Sequence, residues 1–162
     1  MAVDMFLKLT GIDGESQDAK HKDEIEVLSY SFGVTNPGTM QRGGSGGGSS
    51  KSNVQDFTIS KNLDKASPKL FLACASGQHI QNATLTVRKA GEARVEFLMI
   101  KLSDVLVSSY QHGVAQSTEN AVDHVSFNFA KVEIDYSPQS ATGAVSSPVT
   151  ACWDIRENHS CG

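Results

Sequence analysis

The chain has 162 residues and a mass of 17.3 kDa, enough for one domain with its own buried core. Hydrophobic residues make up 39% and charged residues 20%, a composition typical of a folded protein rather than a disordered one. The formal net charge is −4, and no run of lysine or arginine offers the basic surface that DNA or RNA requires. We therefore expect a single domain, residues 1–162, that does not bind nucleic acid.

The N-terminal segment lacks the features of a cleaved secretory signal. Its sequence, MAVDMFLKLTGIDG, has neither a basic start nor an uninterrupted apolar stretch. No apolar run elsewhere approaches the roughly 18 residues needed to cross a bilayer. We expect folding and assembly in the cytoplasm, no membrane insertion, and any secretion or injection by a route that reads no N-terminal signal.

The early residues predict two strands. Residues 3–10 alternate apolar and polar side chains, with Phe6 the exception, as in a half-buried strand. Residues 24–34 predict a longer strand whose one face is large and apolar. The other face carries small side chains, namely Ser29, Ser31 and Gly33. This small-residue strip is either an ordinary solvent-facing surface or one on which another polypeptide rests.

A glycine-rich loop follows at residues 36–53, NPGTMQRGGSGGGSSKSN. Glycine has maximal backbone freedom and no side chain to bury, so this segment cannot pack against itself. A compact domain rarely carries such a loop without a function for it. We interpret it as an arm that projects from an all-β body. Its candidate contact residues are Arg42, Gly43, Gly44, Ser45, Gly46, Gly47 and Gly48.

The next elements are a strand at 54–61 and a short helix at about 68–76. Ser67 is the predicted N-cap, Pro68 suits the first helical position, and Gly77 suits the position after the last turn. The intervening LFLACA is apolar nearly all round. Such a helix is covered by sheet on one side. Its other side either completes a closed core or contacts another subunit.

The second half of the chain is rich in strand patterns. Residues 82–90 direct Leu85 and Val87 inward, and Thr84, Thr86 and Arg88 outward. After a hairpin break at 90–92, residues 94–102 are apolar on both faces, which indicates a central strand. Residues 121–136 change phase near Ala130 and so require a bulge or bend. A final strand at 149–156 holds Trp153. Seven to nine strands and one helix predict a mainly β fold, and closure into a barrel would remove exposed sheet edges.

No residue pattern indicates catalysis, a metal or a cofactor. The glycine loop lacks the spacing and the following helix of a phosphate-binding loop, and Ser45 in GGSGG is followed by no helix that could support a nucleophile. The five histidines show no paired spacing with cysteine or carboxylate; His124 and Asp123 are on alternate faces. We interpret the histidines as ordinary surface or strand residues and expect no enzyme, although distant residues could still form a cluster.

The three cysteines show no metal-ligand spacing. Cys74, in the apolar run LFLACAS, is predicted to be a small core residue. Cys152 and Cys161 lie near the C-terminus. We expect no disulfide framework, in keeping with a reducing compartment, and an exposed Cys161.

Several segments in the same order resemble the haemolysin-coregulated protein (Hcp) family of bacterial type VI secretion. They are MAVDMFLKLTGIDGES, the glycine-rich loop with NVQDFTISKNLDKASPKLFLACASG, ATLTVRKAGE, and the closing WDIREN. The resemblance implies a β-barrel of two packed antiparallel sheets with a flanking helix. It also implies homohexameric rings that stack into the inner tube of a contractile machine. The partners would be the sheath, baseplate and spike proteins and small effector proteins carried in the lumen.

Two functional hypotheses follow from this resemblance. The first is a structural tube subunit in which Ser29, Ser31 and Gly33 line the lumen and residues 42–48 contact the next ring. The second is a soluble, secreted effector-binding chaperone that forms rings but builds no tube. Ordering a glycine-rich arm costs about 1–2 kcal/mol per residue, so we expect isolated ring-on-ring contact to be weak.

Overall fold

The computed structural model describes residues 2–38, 51–91, 95–117, 119–139 and 147–161. Within them the chain forms many strands and one helix, so the predicted mainly β class is confirmed. The strands are β1 (Val3–Leu9), β2 (Ile25–Glu26), β3 (Ser29–Ser31), β4 (Val34–Thr35), β5 (Asn53–Val54), β6 (Phe57–Asn62), β7 (His79–Lys89), β8 (Glu96–Gly113), β9 (Val122–Tyr136), β10 (Val149–Asp154) and β11 (His159–Ser160). The helix α1 is Ser67–Ser76.

The long strands β8 and β9 form the centre of the larger sheet. Its order is β11-β10-β9-β8-β7-β1-β2, and every pairing is antiparallel. The strand β6 pairs with the first half of β9, on the edge where β10 pairs with the second half, and β3 pairs with β6. The strands β4 and β5 form a separate two-stranded sheet at the base of the glycine-rich segment. The apolar run that begins β8 is hydrogen-bonded on both sides, as a central strand should be.

The predicted strand at 24–34 is wrong as one element, because this segment changes partner twice. Glu26 pairs with β1, and Val27 N then donates to Met5 O over 3.0 Å. Leu28 N instead donates to Ser60 O over 2.8 Å, and β3 continues along β6. Because the segment passes from β1 to β6, no single continuous strand joins the two edges of the sheet into a closed barrel.

The core lies between these strands and α1. Phe57 pairs with Phe127 and Ile59 with Val125, and all four side chains are buried. The phase change in β9 is confirmed, since burial falls on odd residues as far as Phe129 and on even residues from Ala130. It accompanies a change of partner, because β9 pairs with β6 up to Phe127 and with β10 from Lys131. The register shift of the β8–β9 ladder lies in β8, between Val107 and Ser109 and opposite Phe127 and Ser126, rather than in β9 at Ala130.

The helix begins one residue earlier than the sequence predicts. Ala66 is the N-cap, Ser67 is the first helical residue, and Gly77 ends the helix at φ 68°, as predicted. Leu70 and Ala73 are buried toward the core. Phe71 and Leu72 are 60% and 61% exposed, so α1 closes the core with one face and leaves the other face to solvent.

Two expectations about side-chain placement are overturned. Thr86 and Arg88 were expected to face outward, yet both are buried. The loop after β1 covers this side of β7, and its Asp18 pairs with Arg88. Cys152 and Cys161 were expected to be unpaired, yet they form a disulfide because the β10–β11 hairpin places them opposite each other. Cys161 is therefore half-buried rather than an exposed thiol, while Cys74 is half-buried against the core.

Candidate functional surfaces

The small residues predicted on one strand belong to a wider polar surface. Ser29 lies opposite Ser60, and their hydroxyl oxygens are 2.5 Å apart. Ser31 lies opposite Thr58 on the same two strands. Tyr30, between the two serines, points the other way and packs on Phe57 with ring centroids 5.6 Å apart. The alternation of β3 therefore directs its hydroxyls outward and its aromatic ring into the core.

The same polar row continues over two further strands. Thr58 lies opposite Ser126, with 3.0 Å between their hydroxyl oxygens, and Ser126 lies opposite Ser109 of β8. We name this surface the hydroxyl face. Its members are Ser29, Ser31, Thr58, Ser60, Ser109 and Ser126. These side chains are short and uncharged, and the exposed His124, which lies opposite Ser60, borders them.

Gly33, the third predicted strip residue, lies beyond the end of β3. Its carbonyl accepts a 2.8 Å hydrogen bond from Gln55 N, and a Cβ at this position would come within 3.3 Å of Gln55 Oε1. Gly33 also lines a separate apolar groove. The structure thus brings Ser29 and Ser31 together and places Gly33 at the base of the glycine-rich segment. The candidate stacking residues Arg42, Gly43, Gly44, Ser45, Gly46, Gly47 and Gly48 lie outside the described residues.

The apolar groove lies between the β4–β5 pair and the C-terminal strands. It has a volume of about 670 Å³, and none of its described lining residues is charged. Its apolar surface comes from Phe32, Val34, Val54, Val132, Ile134 and Trp153. Val34 is 63% exposed, so a large part of this surface is open to solvent in a single chain.

A second concavity is separate from this groove and also contains exposed apolar side chains. It has a volume of about 290 Å³, and its exposed apolar side chains are Val3, Leu28 and Leu63. Its acidic lining residues are Asp4, Glu15, Glu26 and Asp64. We name it the acidic concavity. It shares no lining residue with the apolar groove.

A buried ionic centre anchors α1 to the sheet. Lys61 Nζ lies 2.7 Å from Asp64 Oδ1 and 3.0 Å from Asp123 Oδ2. The side chains of Lys61 and Asp123 are completely buried. Ser67 Oγ donates to Asp123 Oδ2 over 2.5 Å, and His112 Nδ1 lies 2.7 Å from Asp123 Oδ1. Lys61, Asp64 and Ser67 are close in sequence, but Asp123 lies 56 residues beyond Ser67, so no spacing rule links it to them.

This centre stabilises charge and does not present a nucleophile. Burial raises the pKa of Asp123, but hydrogen bonds with Ser67, His112 and Lys61 outweigh burial and lower it. A carboxylate with a lowered pKa is a poor base. Ser67 is itself buried and its hydroxyl bonds to Asp123 rather than to an imidazole. Ser67, His112 and Asp123 are the residue types of a serine hydrolase triad, but they do not have its geometry, in which the serine bonds to the histidine.

A second polar cluster holds the loop after β1 against the sheet. The His21 ring stacks on Phe6 with centroids 4.5 Å apart and planes 8° apart. Its Nδ1 and Nε2 lie 2.8 Å from Glu24 and Glu96 respectively. Arg88 lies over the Phe6 ring at 4.8 Å. His21 is buried, so its interpretation as an ordinary surface or strand residue is wrong.

The helix of the structure was checked against the length and apolar character of a membrane-spanning helix. Within the part of the chain that the structure describes, no helix combines the length and the apolar character needed to span a bilayer.

Comparison with known proteins places these features in a family. A family model described as "Type VI secretion system effector, Hcp" matches residues 6–136. The protein hcp1 of Pseudomonas aeruginosa is 48% identical over 160 residues, which cover 98% of both chains. The structure of Hcp1 from Salmonella typhimurium has a TM-score of 0.82 and 36% identity, covering 99% of this chain and 100% of that one.

A type VI secretion system effector from Yersinia pestis is also similar in structure. Its TM-score is 0.76 at 34% identity, covering 94% of this chain and 100% of that one. The mainly β fold and these relatives define a type VI secretion system protein. The chain belongs to the Hcp family, as its sequence segments predict.

Proposed function

We propose that the chain is a structural subunit of the type VI secretion inner tube, which forms hexameric rings that stack and carry effector proteins in the lumen. The observation that carries the proposal is the presence of two separate concavities with exposed apolar side chains. A ring requires a heterologous contact, in which one surface of a subunit meets a different surface of its neighbour. The acidic concavity and the apolar groove share no lining residue, so they offer two different surfaces for such a contact.

Assembly would remove these apolar side chains from water. Leu28 is 51% and Leu63 is 53% exposed. Covering each of them stabilises a ring by about 1 kcal/mol, half of the value for complete burial of such a side chain. Val34 in the apolar groove would add a similar amount. These contributions support side-to-side association before any stacking contact is made.

Native mass spectrometry of the purified protein tests ring formation. The unmodified chain should give a hexamer, and a strictly monomeric protein at micromolar concentration would contradict the proposal. Leu28→Glu with Leu63→Glu should reduce the hexamer fraction, because two new charges would enter the contact. Val114→Glu is the matched control, since Val114 is 67% exposed and lines neither concavity.

The hydroxyl face is our candidate for the lumen wall. Its six side chains are short, so they leave room in the lumen for effectors, and their hydroxyl groups can hydrogen-bond to effectors of different sequence. The substitution Thr58→Trp would project a large ring from this face. It should leave the hexamer intact and reduce effector retention, measured by co-purification. Gln116→Trp, in an exposed turn outside the face, should leave retention unchanged.

Deletion of residues 43–48 separates a tube subunit from a ring-forming chaperone. We propose that this segment contacts the next ring, as the family resemblance implies. The deletion should then abolish tube-dependent delivery while hexamers persist. If delivery and effector binding both persist, the chaperone function is favoured. The proposal is structural and contains no catalytic step.

A further inference from the structure

The Cys152–Cys161 disulfide is a feature that the proposed tube does not use. Trp153 pairs with Ser160 in the β10–β11 ladder, and one step further along the same register Cys152 faces Cys161. Cys161 N donates to Cys152 O over 3.0 Å, and the two Cα atoms are 5.0 Å apart. The hairpin thus brings the two sulfurs together by its own register. Bond formation therefore requires no rearrangement of the rest of the fold.

The position of the pair favours reaction with other thiols and disulfides. Trp153 packs against the hydrophobic core, so the alternation of β10 places Cys152 on the opposite side of the strand. Both cysteines are only half-buried. The strand β11 is the last strand of the sheet order. A reactant can therefore approach the sulfurs from the outer side of the sheet.

A protein of a secreted family meets two redox environments. Thiols stay reduced in the cytosol, whereas disulfides persist in oxidising compartments. We propose that Cys152 and Cys161 form a redox modification site, with two thiols inside the producing cell and a disulfide after export. This inference rests on the export contained in the proposed function. The co-reactant is a disulfide donor, either a protein disulfide or a small-molecule disulfide.

Oxidation proceeds by two thiol–disulfide exchanges. The thiolate of one cysteine attacks a sulfur of the donor, which forms a mixed disulfide and releases one donor thiolate. The thiolate of the second cysteine then attacks the protein sulfur of that mixed disulfide and releases the second donor thiolate. The protein loses two electrons to the donor. The two protons from the cysteine thiols pass through solvent to the two donor thiolates.

The modification would fix the C-terminal hairpin at the apolar groove. In the reduced protein, β11 is held to β10 by the short ladder at Trp153 and Asp154. In the oxidised protein a covalent bond joins the two strands at the next position. Trp153 and Ser160, which neighbour the two cysteines in this ladder, both line the apolar groove. The redox state of the pair therefore sets how firmly this side of the groove is held.

Differential alkylation of cell and medium fractions tests the site. Samples are acid-quenched, treated with N-ethylmaleimide, and weighed by mass spectrometry. We expect three alkylated cysteines in protein from the cytoplasm and one, Cys74, in protein from the medium. An equal number in both fractions would overturn the proposal. Cys74→Ser is the matched control: it should lower both counts by one and preserve the difference of two.

A second measurement does not depend on export and so separates the two proposals. The purified protein is titrated with reduced and oxidised glutathione while the fluorescence of Trp153, the only tryptophan, is recorded. We expect a reversible shift in wild type and in Cys74→Ser, and no shift in Cys152→Ser or Cys161→Ser. A protein that shows this shift but stays in the cell would contradict the proposed function alone. A wild-type protein whose two thiols never pair would overturn the redox site alone.

Discussion

Lys61 Nζ lies 3.0 Å from Asp123 Oδ2, and neither side chain has any exposed surface. The pair joins β6 to β9, and Ser67 carries the contact on to the start of α1. The ammonium group of Lys61 has further hydrogen-bond partners, since it also donates to Asp64 and to the carbonyl of Asn62. Such an arrangement tolerates loss of one partner poorly, because the remaining charge stays buried without compensation.

Removal of the lysine should therefore be strongly destabilising. We expect Lys61→Met to lower the free energy of unfolding by about 3–5 kcal/mol, measured by urea denaturation of the oxidised protein. Lys101→Met is the control, because Lys101 is 47% exposed and pairs with Glu133 at 3.3 Å. It should cost at most about 1 kcal/mol. Equal costs for the two substitutions would show that the buried centre is not an anchor.

The Asp18–Arg88 pair should make stability depend on acid pH. Hydrogen bonding from Arg88, together with the backbone amides of Lys20 and His21, lowers the pKa of Asp18 despite the opposing effect of burial. A carboxyl with a lowered pKa in the folded state stabilises above its ordinary pKa, about 3.9, and this stabilisation is lost as the pH falls below that value. Wild type should therefore lose stability below pH 4.

Comparison with Asp18→Asn isolates this effect. The difference in unfolding free energy between wild type and Asp18→Asn should be largest near pH 6 and should shrink as the pH falls from 4 to 2.5. Asp13→Asn, at an exposed position of the same loop, should show a difference that changes little with pH. If Asp18→Asn follows the pH profile of wild type throughout, Asp18 is not a source of acid lability.

Gly14 should tolerate no side chain. It is buried, and a Cβ there would lie 2.5 Å from Glu24 O and 2.6 Å from Ile25 Cα, both backbone atoms that cannot rotate away. We expect Gly14→Ala to cost about 1–3 kcal/mol, as overpacking of a closed site does. Gly113→Ala, where nothing lies within 4 Å of the added Cβ, should change stability by less than about 1 kcal/mol. Thermal unfolding of both variants decides the point.

The C-terminal disulfide should add measurable stability to the oxidised protein. Cys152 and Cys161 are separated by nine positions, and closure of a loop of this length stabilises by about 2–3 kcal/mol. We expect Cys152→Ser to lower the unfolding free energy by that amount without reductant and to match wild type once dithiothreitol is present. Cys74→Ser should keep the full response to reductant. A Cys152→Ser protein as stable as oxidised wild type would contradict this prediction.

The local patterns of the sequence predicted most of the secondary structure. Alternation identified β1, β6 and β7, the Pro68 and Gly77 pair bounded α1, and the phase change near Ala130 marked the point at which β9 changes partner. These features depend on neighbouring residues, so they can be read directly along the chain. Family membership was also predicted, because several ordered segments carry it.

Long-range placement could not be read in the same way. The segment 24–34 carries one strand pattern, yet its residues divide between β1 and β6 because Val27 and Leu28 hydrogen-bond to different strands. Arg88 has the alternation of an outward residue, but a loop 70 residues away in sequence covers it and neutralises its charge through Asp18. Ser29 and Ser31 were predicted as a strip, whereas Thr58 and Ser126 joined the hydroxyl face only through strand order.

By itself, the sequence determined the strand alternation, the helix and the family, because each depends on side chains that are close along the chain. Only the tertiary structure decided that Lys61 meets Asp123, that His21 is buried between Glu24 and Glu96, and that Cys152 pairs with Cys161. The physical reason is that a buried charge, imidazole or thiol takes its partner from the strand register and the covering loops. Those are fixed when the whole core closes.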